Sequence, residues 1–450
     1  MRALILSAAL AAAPLSTAAQ TPLPPVVSEA PAAVRSMAAG YKALMVCGAL
    51  KNAEAAGGER TLDSVEANEL VGIYPELDPL VRVMPVEIDG ASFSIAWDDA
   101  MPPRMAVYRP GRGCSVLPVG WSQHAVDAAV PGPAPAAPFL ASPVRGDAAA
   151  LAEAVERAFE GGYGEGANST AVIVLQDGRS VAERYAAGFG PDTPQRTWSV
   201  AKSLAGTIIG AAVRRGEVDV NAPAPIREWS REGDPRGGIT LDNLLRMASG
   251  LTSDTAGNRT DALYFGGVGV DEQAPTWPLI APPGTRYRYA NNDTLLAVLG
   301  VSESFDEHPP AELFARLGMH DTWAETDWRG AYVLSSQVWS TARDLARFGQ
   351  LYVDDGMVDG EHILPEDWLE YVSRPSGPQP RGEQGYGATF WLFDKSEGIP
   401  ADAISANGNR GQYVIIVPSR KIVIVRRGED PAGARFDHIA FTRDVLAALD

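Results

Sequence analysis

Strand-like runs stand at both ends of residues 147–450, and helical periodicity fills the stretch between them. Near the start, Thr170–Gln176 and Arg179–Tyr185 flank an Asp177-Gly178 turn, the pattern of a β-hairpin. Near the end, Gly387–Phe393, Gln412–Val417 and Lys421–Arg426 read as strands, the last two separated by a Pro418-Ser419 turn. Helices are predicted at about Ser199–Arg215, stopped by Gly216, and at Leu241–Met247 before Ser249-Gly250. Two more, near Asp147–Phe159 and Phe436–Leu449, bracket the whole. Such an order implies one antiparallel sheet assembled from distant parts of the chain, an α+β fold.

The 450 residues leave room for more than this unit. Residues 1–19 have a basic start at Arg2, an apolar run from Ala3 to Ala13 and small residues around Thr17-Ala18-Ala19. That is the layout of a cleavable signal peptide, and the run is too short to span a bilayer, so a periplasmic or secreted protein without stable membrane insertion is expected. Residues 30–127 read as a small α/β module with a helix from Val34 to about Ala56, stopped by Gly57-Gly58. Apolar alternations follow at Leu80–Ile88, Ser92–Trp97 and Met105–Tyr108. Both cysteines, Cys47 and Cys114, fall in this module, and in an exported chain they are expected to pair. Residues 128–146 form a linker stiffened by five prolines. The net charge of −18 argues against nucleic acid as a partner, because phosphate binding needs clustered Lys and Arg.

Chemistry is carried by three short stretches. The first is Ser199-Val200-Ala201-Lys202. Residues three apart on a helix share a face, so hydroxyl and amine lie side by side. A serine hydroxyl needs a base to become a nucleophile. A buried lysine at a helix N-terminus can serve, because desolvation and the positive helix end both lower its pKa. The chain has only five lysines, and this is its one SxxK. The same helix end offers the Ser199 backbone N–H to a developing oxyanion.

The second stretch is Tyr289-Ala290-Asn291, behind the Pro283-Gly284 turn. In an extended segment, residues two apart point the same way, presenting a phenol that can relay a proton and an amide that can bind substrate. Tyr287 shares that face and is assigned to the core. The third is Gly408-Asn409-Arg410-Gly411-Gln412, which opens the apolar strand Tyr413–Val417. Glycines at a strand edge permit close approach of a substrate backbone, and the Gln412 N–H is the candidate second oxyanion donor. Alternation places Asn409 and Gly411 on the substrate side and turns Arg410 away.

In this order and context, the three stretches resemble the motif set of the serine β-lactamase and penicillin-binding-protein superfamily. The likeness is strongest to the class C-type branch, which also holds carboxylesterases and 6-aminohexanoate-dimer hydrolases. Flanking runs at Thr197–Ser203, Leu244–Leu251 and Thr341–Gly349 strengthen the resemblance, which covers roughly 147–450. It implies an antiparallel sheet flanked by helices with a helical subdomain, and an acyl-enzyme on Ser199. Lys202 and Tyr289 would share the general base and acid roles, while Asn291, Asn409, Gly411 and Gln412 line the substrate cleft.

One position departs from the pattern. The family triplet begins with Lys or His, whereas Asn409 stands here, which removes a cation that would bind a substrate carboxylate and depress the tyrosine pKa. An ester or small amide is therefore the expected substrate, with an alkaline optimum; β-lactamase or D-Ala-D-Ala peptidase activity is the enzymatic alternative. A catalytically inactive binding protein of the same fold is the alternative of another class. The chain has no GxSxG elbow, HExxH, P-loop or dinucleotide fingerprint, so no metal or cofactor is expected. The five histidines, His124, His308, His320, His362 and His438, are read as surface or capping residues.

Overall fold

The computed structural model describes residues 23–121, 137–253, 260–375 and 377–450. The expected signal segment, residues 128–136 of the expected linker and His124 lie outside them.

Strands from the two ends do meet. Ile422–Gly428 pairs antiparallel with Ser169–Gln176, which in turn pairs with Arg179–Tyr185. The sheet continues through Gln412–Val417, Ile404–Gly408, Trp391–Leu392 and Gly385–Tyr386, making seven antiparallel strands. Strand alternation sorts the side chains onto two faces. Ala171, Ile173, Leu175, Val423 and Val425 enter the larger core, under the helices Val200–Arg215 and Ala342–Val353. Val172, Val174, Ile422 and Ile424 enter a smaller core, under Ala148–Phe159 and His438–Ala448. With both faces covered, every residue of Ser169–Gln176 is buried. The architecture is α+β.

Two expected strands give way. Gly387–Phe393 is not continuous: Gly385–Tyr386 and Trp391–Leu392 pair across a reversal closed by the Gly387 N–H donating to Phe390 O at 2.9 Å. A side chain on Gly387 would meet the Val372 carbonyl at 1.8 Å, so the turn depends on glycine there. Leu80 lies in a short helix, Asp78–Val81, and only the last two residues of the Leu80–Ile88 run enter a strand, Glu87–Asp89.

The N-terminal segment folds as a helix, Ala32–Ala55, against a four-stranded sheet, and a disulfide joins Cys47 to Cys114. The helix is apolar nearly all round because it is buried on both sides. Tyr41, Leu44, Met45 and Cys47 belong to the same hydrophobic cluster as the helices Val200–Arg215 and Ala342–Val353. Gly48 sits so close to Trp339 that a Cβ would lie 2.4 Å from the indole. Polar ties reinforce the seam. Arg104 Nη2 donates to Phe265 O at 3.2 Å, the Cys114 N–H to Glu325 Oε1 at 2.9 Å, and Ser115 Oγ to Thr326 O at 2.8 Å.

Candidate active site

The segment Gln195–Arg196 pairs with Val338–Ser340, and the Thr197 N–H extends that contact to Val338 O at 2.8 Å. The chain then turns through Trp198, whose φ of 51° is unfavourable for a bulky residue. The Arg196 guanidinium, 3.9 Å above the Trp198 ring, packs against it. Ser199 follows directly, at the N-terminal end of Val200–Arg215. Its hydroxyl thus stands at the positive end of the helix, whose first N–H groups, those of Val200, Ala201 and Lys202, bond the carbonyls of Thr197, Trp198 and Ser199.

Lys202, 1% exposed, lies one turn in. Its Nζ contacts Ser199 Oγ at 3.1 Å, Asn291 Oδ1 at 2.7 Å and Ser335 O at 2.8 Å. Asn291 and Ser335 offer only acceptor oxygens, so a neutral amine gives them its two hydrogens and turns its lone pair to the serine hydroxyl. Burial, and secondarily the charge of Arg196, brings the Lys202 pKa down to about 7. Arg196 also fixes the lysine's surroundings, since its Nη2 donates to Ser336 Oγ at 2.8 Å, next to the Ser335 carbonyl.

Tyr289 closes the triangle. Its ring centroid is 5.3 Å from Lys202 Nζ, and its hydroxyl shares a hydrogen bond with the Ser199 side chain. Trp391 at 5.5 Å and Tyr386 at 5.9 Å pack on the ring. Burial among these rings pushes the phenol pKa up to about 12, the Ser199 hydrogen bond opposing it. The segment is held from below: the Arg288 N–H donates to Met247 O at 2.8 Å, and Ser249 Oγ to Asp293 Oδ1 at 2.8 Å. The flanking Leu244–Leu251 run thus has a structural task. Asn291 does not continue the extended run through Tyr289 but is the first residue of the helix Asn291–Gly300. It lines the cleft and also orients the lysine. Tyr287 packs on Tyr386 at 5.6 Å, away from Lys202's contacts.

The third stretch is placed differently from expectation. Asn407, Gly408 and Asn409 line the cleft, a space of about 450 Å³ that also touches Ser199, Tyr289 and Asn291. Gly411 and Gln412 do not line it. A Cβ on Gly411 would strike Arg426 and Asp430, and the Gln412 side chain donates to the Gly428 carbonyl and accepts from Arg427 Nε at 2.6 Å. The glycine that abuts the nucleophile's strand is Gly408, where a Cβ would lie 2.4 Å from Thr197 O. The expected alternation fails because residues 409–411 form the hairpin turn, with Arg410 at φ 56° and Gly411 at φ 80°. Arg410 does point away: its Nε pairs with Glu429 at 2.8 Å and its Nη2 with Asn68 O at 2.7 Å.

Several cleft residues carried no local signal. Gln384, Trp391, Tyr413 and His438 line the cleft from distant segments. His438 corrects the reading of the histidines as surface or capping residues. It is 6% exposed, stacks on Tyr413 at 4.4 Å, and its Nε2 bonds Gln384 Oε1 at 3.0 Å. Burial lowers its pKa to about 4, so the ring is neutral in the working range. Among the described residues no group of His, Cys, Asp or Glu is arranged to hold a metal ion.

A serine hydroxyl, a buried amine and a phenol thus meet beside the strand Ile404–Gly408, third from one edge of the seven-stranded sheet, a constellation suited to serine-hydrolase chemistry. The family model for beta-lactamase matches residues 152–448, and the chain belongs to that family. It is 28% identical over 294 residues to a 6-aminohexanoate-dimer hydrolase of Paenarthrobacter ureafaciens, covering 58% of this chain and 72% of that one. Solved structures of similar fold include a penicillin-binding protein homolog from Caulobacter crescentus, with a TM-score of 0.52 at 19% identity over 68% of this chain and 98% of that one. A family VIII carboxylesterase gives 0.55 at 16% identity, over 69% and 98%.

Proposed function

We propose that the chain is an exported serine hydrolase that cleaves an ester or small amide through an acyl-enzyme on Ser199. The observation that carries this reading is the buried Lys202 amine, 3.1 Å from Ser199 Oγ, with a pKa brought to about 7. At neutral pH about half of such amines are free to take the serine proton, against about one in three thousand for an exposed lysine. Ser199 Oγ then adds to the carbonyl carbon. The oxyanion faces the Ser199 N–H and the backbone of Gly408–Asn409, which takes the place of Gln412. Tyr289, held neutral by its high pKa, serves as the relay that hands a proton to the departing oxygen or nitrogen rather than as a phenolate base. Water attacks the acyl-enzyme with the same groups in reverse.

Ester and amide substrates are supported by the names of the hydrolase and carboxylesterase relatives. Export is supported by the layout of residues 1–19 and by the disulfide, and no described helix is long and apolar enough to cross a membrane. The test is intact-mass spectrometry after exposure to a panel of esters, amides and β-lactams. An acyl adduct that maps to Ser199 and vanishes in Ser199→Ala supports the proposal. Turnover that survives Ser199→Ala refutes it.

A further inference from the structure

The N-terminal segment lies outside the matched family region, yet it reaches the cleft. Behind Trp198 and the 408–411 hairpin is a second cavity of about 350 Å³, a size suited to a small organic group. It adjoins the catalytic cleft, with which it shares Tyr74, Trp198, Gly408, Asn409, Tyr413 and Arg435 as lining. Its outer walls are residues 72–75 and 431–436.

These walls are built, not loosely apposed. The Ala432 N–H donates to Gly72 O at 2.6 Å, and Arg410 Nη1 donates to Val71 O at 3.0 Å and Gly72 O at 3.1 Å. Gly72 adopts φ 61°, and a Cβ there would lie 2.3 Å from Pro431, so the two loops close on each other only with glycine at that point. Two charges that border the cavity are neutralised inside the protein: Arg410 pairs with Glu429, and Asp430 with Arg426, each at 2.8 Å. Arg435 is exposed at the shared mouth. Apart from its tyrosines, among them the buried Tyr41 with its hydroxyl, the interior is left to Ile73, Pro75, Pro431, Phe436 and Trp198.

The position selects which arm of the substrate enters. A leaving group must lie within hydrogen-bond reach of its proton donor, here Tyr289. Neither Tyr289 nor Asn291 lines this cavity, whereas the nucleophile's neighbour Trp198 and the Gly408–Asn409 wall do. The leaving group therefore occupies the Tyr289 side, and the acyl arm runs toward the cavity. We propose that this cavity is an acyl subsite for an uncharged, medium-length aliphatic chain, and that its two walls, residues 72–75 and 431–436, set the acyl-chain preference of the enzyme. The identity of the arm rests on the Ser199 reading; the cavity's affinity for an alkyl chain does not.

The test uses the full chain and two cavity-filling variants, Ala432→Trp and Ala434→Trp. In the parent, kcat/KM rises from acetyl to octanoyl esters of one alcohol, by about fourfold for each methylene that becomes buried. In both variants the octanoyl-to-acetyl ratio falls at least tenfold. Independently of turnover, octanoate binds to Ser199→Ala in calorimetry, and adding Ala432→Trp abolishes the heat. Absence of octanoate binding in Ser199→Ala, or binding and chain-length ratio that both filling variants leave unchanged, overturns the subsite. Octanoate binding without any ester turnover would keep the subsite and sink the hydrolase reading instead.

Discussion

Replacing Asn291 by Asp sets a carboxylate where an amide oxygen now accepts from Lys202 Nζ at 2.7 Å, with almost no change in shape. Residue 291 opens a helix, where an added anion is favourable, so the fold should tolerate the change. An opposite charge this close shifts a pKa by about 1–3 units toward the charged form. Lys202 would move from about 7 up to roughly 8–10. At pH 7 the neutral fraction then drops from about one half to roughly one tenth to one thousandth. The sign is unambiguous: the base form is the neutral amine, so a raised pKa costs activity at neutral pH and returns it as the solution becomes alkaline. We expect kcat/KM of Asn291→Asp at pH 7 to fall about fivefold to five-hundredfold, with the acidic limb of the profile displaced upward by the same pKa change. Initial rates on a simple ester by pH-stat read the limb directly, because kcat/KM reports the free enzyme. A limb that stays near pH 7 in a folded variant would refute Lys202 as the base. A loss of equal size at every pH would make Asn291 a substrate ligand only.

Tyr289→Phe keeps the contacts with Trp391 and Tyr386 but removes the relay, so kcat should fall by about 10²–10⁴ with little change in the unfolding temperature. Gly408→Ala places a Cβ 2.4 Å from Thr197 O and must push the hairpin off the nucleophile's strand. Its kcat/KM should drop by about tenfold or more, and an unchanged value would remove this wall from the site. Breaking the disulfide with Cys47→Ser frees a loop spanning 67 positions. Urea unfolding should show a loss of about 2–4 kcal/mol, whereas no change would mean that the docked helix alone holds the segment.

The fold and the three stretches whose Ser199, Lys202 and Tyr289 side chains meet were legible because each rests on a local pattern. The continuous apolar runs within Ser169–Gln176 and Ile422–Gly428 foretold the sheet, since both faces of those strands are covered. Ser199 and Lys202 meet through helix geometry alone. The third stretch was misread by a few residues because it holds two glycines, Gly408 and Gly411. Which of them abuts the nucleophile is decided by Thr197 on one side and by Arg426 and Asp430 on the other, contacts distant in sequence. His438 and Gln384 were illegible for the same reason: each is ordinary in its own segment and becomes part of the cleft only through packing. The docking of the N-terminal helix was equally hidden, because Arg104 and Arg410 bind backbone carbonyls, which have no sequence signature.

What matters most is whether the amine beside Ser199 is held near neutrality. With five lysines in the chain, ¹³C-labelled lysine side chains give few enough NMR signals to follow each one with pH. The resonance missing from Lys202→Met should titrate with a midpoint near 7. A midpoint near 10.5 for that same resonance would mean an ordinary ammonium ion at Ser199, and the proposed activation of the serine would be wrong.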